Sequence, residues 1–164
     1  MKKLIFVGGT MGVGKTAVCE VLRHRLEPSV FLDGDWCWML SPFRVTEHRK
    51  KMVTENITFL LRQFLKDPDT ENVIFCWVMH QQEIIDGLLE RLSDLEFEFH
   101  GFSIVCSEEK LRERLEKDIA AGKRTADVIE RTIPRLPLYR ELNTILIDGD
   151  KSLEDEAKEI LAWL

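Results

Sequence analysis

Short runs of apolar residues alternate along the chain with longer segments in which apolar residues recur at helical spacing. Short unbroken runs bounded by glycine or turn residues are typical of buried strands, and the periodic segments are typical of amphipathic helices. The pattern predicts five strands, at residues 4–7, 30–32, 73–78, 99–106 and 144–147. Strand and helix alternate throughout, which predicts an α/β fold with a parallel sheet covered by helices on both faces.

The helices predicted between these strands carry recognisable start and stop signals. Ser107 is a plausible N-cap for the helix after the fourth strand. Ser152 and Asp155 resemble a capping box that opens a terminal helix. A shorter helical region before the last strand is interrupted by Pro134 and Pro137, which lack a backbone N–H. The predicted helical stretches are residues 18–26, 52–65, 84–92, 111–119 and a segment after 152.

Length and composition favour one domain. No repeat, low-complexity tract or linker interrupts the 164 residues, so residues 1–164 are expected to form a single domain. The net charge of −6 argues against a broad surface for nucleic acid or anionic membrane, although a local basic pocket for phosphates stays compatible with it. We therefore expect neither nucleic-acid nor membrane partners, and a monomer or homodimer.

The cellular compartment is predicted from targeting signals and cysteines. The apolar run near Met1 is too short for the central region of a signal peptide. No stretch approaches the roughly 20 apolar residues of a membrane-spanning helix. The four cysteines are scattered, without the spacing of metal ligands, which is typical of reduced thiols. Together these observations predict a cytoplasmic protein.

The loop after the first strand carries the most informative motif, GTMGVGKT at residues 9–16. The pattern G-x-x-x-x-G-K-[ST] between an apolar strand and an amphipathic helix is typical of nucleoside-triphosphate binding. Its glycines let successive backbone N–H groups point at one anion, and the helix N-terminus favours negative charge. Lys15 is predicted to reach the phosphates and the Thr16 hydroxyl to ligate Mg²⁺. The predicted nucleotide-binding residues are Gly9, Gly12, Val13, Gly14, Lys15, Thr16 and Ala17, with ATP and Mg²⁺ as cofactors.

Two carboxylates follow the second strand in the segment Asp33-Gly34-Asp35. The carboxyl ends of parallel strands meet at one edge of the sheet, so this segment is expected near the phosphate loop. Asp33 is predicted to hold magnesium, and Asp35 to orient or deprotonate an acceptor hydroxyl. A plain Asp-Gly turn is the alternative. The third strand ends without Asp or Glu, and His80 after it either touches substrate or has a structural role.

These motifs resemble the P-loop small-molecule and nucleotide kinases, shikimate kinase in particular. The segment FLDGD at 31–35 resembles the Asp-x-Asp of that family, and FRVTE at 43–47 resembles its segment with an acceptor-binding arginine. RLPLYRE at 135–141 is similar to a run whose arginine binds the substrate carboxylate. The resemblance implies a P-loop NTPase fold: a three-layer sandwich with a five-stranded parallel sheet of order 2-3-1-4-5 and a small lid at about residues 117–126.

The same resemblance implies roles for individual side chains. Lys15, Asp35 and Arg124 would be catalytic, with Arg124 supplied by the lid. A guanidinium brought in by a closing lid stabilises the charge that develops on the γ-phosphate. Asp35, Arg44 and Arg135 would bind the acceptor, and the two arginines would contact its anionic part.

Bulky residues distinguish this sequence from the sequences of shikimate kinases. Where that family has a glycine triplet after the third strand, this chain has Trp77 to His80. Trp36 and Trp38 also lie beside the aspartate pair. These side chains favour a flatter or more apolar acceptor, such as a nucleoside, a nucleotide or an antibiotic. Core packing is the alternative for the two indoles.

Two classes of function follow from these observations. The first is an ATP- and Mg²⁺-dependent phosphotransferase acting on a small-molecule acceptor, with a nucleoside or nucleotide kinase and an antibiotic phosphotransferase as alternatives within the class. The second is a nucleotide-binding regulatory protein with little kinase activity, which the missing carboxylate after the third strand mildly favours.

Overall fold

Five parallel strands form the central sheet, in the order β2-β3-β1-β4-β5. This architecture is seen in a computed structural model that describes all 164 residues. It confirms the expected strand order and the α/β fold class. The strands are β1 (Lys3–Gly9), β2 (Ser29–Asp33), β3 (Asn72–Cys76), β4 (Glu98–Val105) and β5 (Ile145–Asp148).

Six α-helices cover the sheet. Ser107 and Ser152 cap two of them as expected, since their hydroxyls accept hydrogen bonds from the backbone N–H groups of Lys110 and Asp155. No helix of the structure is both long enough and apolar enough to cross a membrane. The helices are α1 (Lys15–Arg25), α2 (Glu47–Lys66), α3 (Gln82–Glu90), α4 (Glu108–Ala120), α5 (Val128–Thr132) and α6 (Leu153–Leu161).

Two 3-10 helices complete the chain, at Gly34–Trp38 and Ile133–Glu141. The second is the predicted proline-interrupted region. Pro134 and Pro137 cannot donate backbone hydrogen bonds, so this region does not continue as a regular α-helix after α5.

Side chains of the central strand alternate between two cores, one on each face of the sheet. Ile5 and Val7 pack with α1, α4 and α6, whereas Leu4 and Phe6 pack with α2 and α3. All four are at least 99% buried, which explains why β1 is an unbroken apolar run. The sheet is therefore covered on both sides, and its carboxyl-terminal edge is where the loops with polar chemistry gather.

Candidate active site

The phosphate loop connects β1 to α1 through two glycines in the left-handed region. Gly12 has φ +77° and Gly14, the N-cap residue of α1, has φ +101°. A residue with a Cβ atom is strained in this backbone conformation. A Cβ on Gly12 would in addition lie 2.8 Å from Cδ2 of Leu115 on α4. The backbone therefore has the tight curl that the phosphate-binding motif requires.

Lys15, the first residue of α1, reaches back across this loop. Its Nζ donates a hydrogen bond to the Thr10 carbonyl at 2.8 Å, and the side chain is half-buried. Burial lowers the pKa of Lys15, while the nearby charges of Asp35 and Asp33 raise it. The ammonium is thus held over the loop, with two carboxylates close enough to influence it.

A hydrogen bond joins the phosphate loop to the aspartate pair. The Thr16 hydroxyl donates to Asp33 Oδ2 at 2.7 Å, and Oδ1 of the same carboxylate accepts the Asp35 N–H at 2.9 Å. Asp33 is only 6% exposed. The Thr16 and Asp33 oxygens are the donor type that Mg²⁺ prefers, so the predicted pair fits this ion. No group of three or more His, Cys, Asp or Glu side chains forms a metal site, so water molecules and phosphate oxygens would complete the octahedral coordination of Mg²⁺.

Asp35 is an exposed residue whose carboxyl is nevertheless partly desolvated. Desolvation first, and the charge of Asp33 second, raise the pKa of Asp35, while Lys15 and Arg124 lower it. A raised pKa makes a carboxylate a stronger base toward a hydroxyl proton. The second aspartate is therefore suited to the acceptor role that the sequence predicts.

Arg124 lies in the segment between α4 and α5. The predicted lid, residues 117–126, comprises the last turn of α4 and most of this loop, in which Gly122 has φ +73°. The guanidinium pairs with Asp118 at 2.9 Å, and its charge lowers the pKa of Lys15 and Asp35. The structure thus brings Arg124 within electrostatic range of the phosphate loop.

The two predicted acceptor-binding arginines have different surroundings. Arg135 lies on the second 3-10 helix and lines a small pocket with Thr10 of the phosphate loop. Arg44 lies between the first 3-10 helix and α2, where its side chain is exposed and forms no hydrogen bond or ion pair. Only Arg135 of this pair lies against the phosphate loop.

The three tryptophans near the aspartate pair have different surroundings. Trp36 is 51% exposed and lines an open apolar cleft of about 370 Å³, together with Phe59 of α2. Trp38 packs against Phe43, with ring centroids 5.8 Å apart. Trp77 covers Gly34 so closely that a Cβ on this glycine would lie 2.6 Å from Cγ of the indole. Trp36 alone of the three faces an open cleft, and the other two are packed.

Arg114 of α4 is a residue of the site that no sequence motif marks. Its guanidinium donates to the Val13 carbonyl at 3.0 Å and to the Gly149 carbonyl at 3.2 Å, which ties the phosphate loop to the end of β5. Glu156 of α6 is 3% exposed. Burial raises the pKa of Glu156 to about 7, although Arg114 opposes this shift.

Comparison with known families agrees with this geometry. A family model described as an AAA domain matches residues 5–135, a span that contains the phosphate loop, the aspartate pair and Arg124. The chain belongs to this AAA-domain family. None of the curated proteins matches it in sequence.

Solved structures similar to this AAA-domain chain include several kinases. A gluconokinase from Sinorhizobium meliloti 1021 is 20% identical, with a TM-score of 0.71 over 98% of this chain and 90% of that one. Shikimate kinase from Aquifex aeolicus is 20% identical, with a TM-score of 0.65 over 98% and 94%. The APS kinase from Mycobacterium tuberculosis is 14% identical, with a TM-score of 0.70 over 98% and 96%. The chain therefore has the fold of the P-loop kinases, as expected.

Replacing Gly34 by alanine tests the packing between the aspartate pair and Trp77. Because the new methyl group would lie 2.6 Å from Cγ of the indole, we expect Gly34→Ala to lower the free energy of unfolding by about 1–3 kcal/mol in urea denaturation. Gly87→Ala is the matched control, since Gly87 lies in α3 with open space around its Cβ position and should gain about 0.5–1 kcal/mol. Equal effects of the two substitutions would contradict the close packing.

Glu156 gives the AAA-domain protein a specific pH dependence. The native carboxyl has a pKa of about 7 against an ordinary 4.5, so the native state binds the proton more tightly than the unfolded chain. Stability from this group is present below pH 4.5 and is lost as the pH rises toward 7. Relative to Glu156→Gln, the wild type should lose about 2 kcal/mol of unfolding free energy over this range. Parallel pH profiles from urea denaturation would refute the assignment.

Proposed function

We propose that the protein is an ATP- and Mg²⁺-dependent phosphotransferase that acts on a small-molecule acceptor. The observation that carries this proposal is the Thr16–Asp33 hydrogen bond, which joins the phosphate loop to the aspartate pair. It brings a motif for triphosphate binding and a carboxylate suited to acceptor activation to the same edge of the sheet. The kinases among the similar structures support the same reaction class.

Each side chain has a role in this reaction. Lys15 and Arg124 stabilise the negative charge of the group in transfer. Asp35 accepts the proton of the attacking acceptor hydroxyl. Thr16 and Asp33 would hold Mg²⁺, which neutralises phosphate charge when it is bound.

The acceptor is the less defined part of this function. Arg135, and Arg44 if its loop approaches, would bind an anionic part of the acceptor. The exposed indole of Trp36 favours a flat acceptor, which keeps a nucleoside or nucleotide kinase and an antibiotic phosphotransferase as alternatives. We propose a cytoplasmic protein, monomeric or homodimeric, without nucleic-acid or membrane partners.

A nucleotide-binding regulator is the second candidate. One observation favours it: β3 ends at Cys76 and is followed by Trp77, so no carboxylate stands at its carboxyl end. Release of ADP in the presence of nucleosides, nucleotides, sugars, polyol acids and antibiotics distinguishes the two candidates. A regulator would show only background hydrolysis with every acceptor.

Asp35→Asn tests the catalytic assignment. The amide keeps the size of the side chain but cannot take up the hydroxyl proton, so we expect turnover with the active acceptor to fall about 10²–10⁴-fold. Affinity for ATP should change little, because Thr16 and Asp33 are untouched. A coupled ADP-release assay and calorimetric titration of an ATP analogue measure the two quantities.

The control for this variant is Asp69→Asn, at an exposed aspartate in the turn after α2. It should leave both turnover and ATP affinity unchanged. Wild-type turnover in Asp35→Asn would remove Asp35 from the mechanism.

A further inference from the structure

Trp77 directly follows β3, the strand that ends without a carboxylate. Asp33 at the end of β2 pairs in register with Cys76 at the end of β3. The residues that follow them, Gly34 and Trp77, therefore leave the sheet side by side. The backbone N–H of Trp77 also donates to the Val7 carbonyl of β1 at 3.3 Å. Strand pairing thus fixes Trp77 against the aspartate pair.

The five-membered ring of the indole lies over the residue between the two aspartates. A Cβ on Gly34 would lie 2.6 Å from Cγ, 2.7 Å from Cδ1 and 3.0 Å from Cδ2 of Trp77. These three atoms belong to the ring that also contains Nε1, whose N–H donates and cannot accept. The indole also packs against Phe75, with ring centroids 6.4 Å apart. The half of the indole that carries the N–H is therefore the half that contacts the aspartate segment.

The Asp35 side chain accepts this N–H. Desolvation first, and the charge of Asp33 second, raise the pKa of Asp35, and a hydrogen bond from the Trp77 side chain opposes this shift. The backbone N–H of Asp35 donates to Asp33 Oδ1 at 2.9 Å. The main chain and the side chain of Asp35 are thus each held by one neighbour.

A neutral donor affects a carboxylate differently from a cation. Lys15 Nζ is bonded to a carbonyl of the phosphate loop, and the Arg124 guanidinium is paired with Asp118. Neither cation forms an ion pair with Asp35. A cation in direct contact would make this carboxylate a much weaker base, because it would stabilise the charged form strongly. A neutral N–H holds one oxygen with a smaller effect and leaves the other oxygen for a hydroxyl proton.

We propose that Trp77 is a positioning residue for Asp35: its indole N–H holds one carboxylate oxygen, so that the other faces the acceptor hydroxyl. This inference rests on the proposed function, in which Asp35 accepts the hydroxyl proton. Trp77 acts through Asp35 and takes no part in phosphoryl transfer itself. Because an indole N–H only donates, it cannot ligate Mg²⁺, so the end of β3 serves the base in this chain.

The pKa of Asp35 in Trp77→Phe tests this role without any acceptor. Phenylalanine keeps an aromatic ring over Gly34 but has no N–H, so the charged form of Asp35 loses a donor. We expect the pKa of Asp35 to rise by about 0.5–1 unit. A smaller ring alone would admit water and lower this pKa, so the sign of the shift separates a lost hydrogen bond from altered packing. The ¹³C signal of the carboxyl carbon measures the pKa, and its loss in Asp35→Asn assigns it.

Trp163→Phe is the matched control. Trp163 follows α6 and is 57% exposed. Its neighbour Leu164 accepts a hydrogen bond from Lys3 at the start of β1, which is the edge of the sheet opposite to Asp35. This variant should keep the wild-type pKa of Asp35. An unchanged or lowered pKa of Asp35 in Trp77→Phe would overturn the proposal.

The indole signal of the wild type gives a second measurement. The chain has four tryptophans, so a ¹H–¹⁵N spectrum contains four indole N–H signals. The signal of Trp77 is assigned from its nuclear Overhauser contacts with Gly34. We expect it to shift with pH at the midpoint of the Asp35 titration, to lose this shift in Asp35→Asn, and to keep it in Asp69→Asn. A Trp77 signal that does not follow the Asp35 titration would also contradict the inference.

Turnover extends the test to the reaction, with an acceptor that releases ADP in the panel above. A misplaced base slows the chemical step more than it weakens substrate binding, so Trp77→Phe should lower kcat by about 10–10²-fold with the KM for ATP unchanged. The acid limb of the kcat/KM profile should move to higher pH by the same amount as the pKa of Asp35. Trp163→Phe should keep the wild-type profile.

The inference and the proposed function fail separately. Coupling between Trp77 and Asp35 without turnover of any acceptor would retain the orientation of Asp35 and remove the kinase assignment. Turnover that depends on Asp35 but is unchanged in Trp77→Phe would retain the kinase and remove the role of Trp77.

Discussion

The curl of the phosphate loop is the constraint on which the other parts of the site depend. Gly12 and Gly14 can adopt it because they lack a Cβ, and Leu115 of α4 leaves no space for one at Gly12. Arg114 holds the Val13 carbonyl from the same helix. The loop is therefore held on one side by β1 and on the other by α4, which also leads into the segment that carries Arg124.

The charges of this acidic chain are unevenly distributed. The whole chain has a net charge of −6, but cationic groups face the loop from three elements: Lys15 on α1, Arg124 after α4 and Arg135 on the second 3-10 helix. Asp33 and Asp35 oppose them within the site. Anionic ligands would relieve the mutual repulsion of these cations.

Much of the fold follows from local patterns, because strands buried on both faces must be continuous apolar runs. The third strand is the informative exception: its β-forming residues predict a strand through Val78, but β3 ends at Cys76, where Trp77 turns to cover Gly34.

Motif spacing identifies Lys15 and Thr16 from the sequence. It cannot identify Arg114, because this residue is 101 residues away from its hydrogen-bond partner Val13 along the chain. Thr10 Oγ1 and His80 Nδ1 are buried without a hydrogen-bond partner, a property that only the three-dimensional structure reveals.

The central claim is that this loop and its lysine hold a nucleoside triphosphate. The most direct measurement is calorimetric titration of AMPPNP into the wild type and into Lys15→Met, with and without Mg²⁺. We expect the wild type to bind one equivalent, with higher affinity when Mg²⁺ is present, and Lys15→Met to lose at least tenfold in affinity. Absence of binding to the folded wild type, or equal affinity in Lys15→Met, would contradict it.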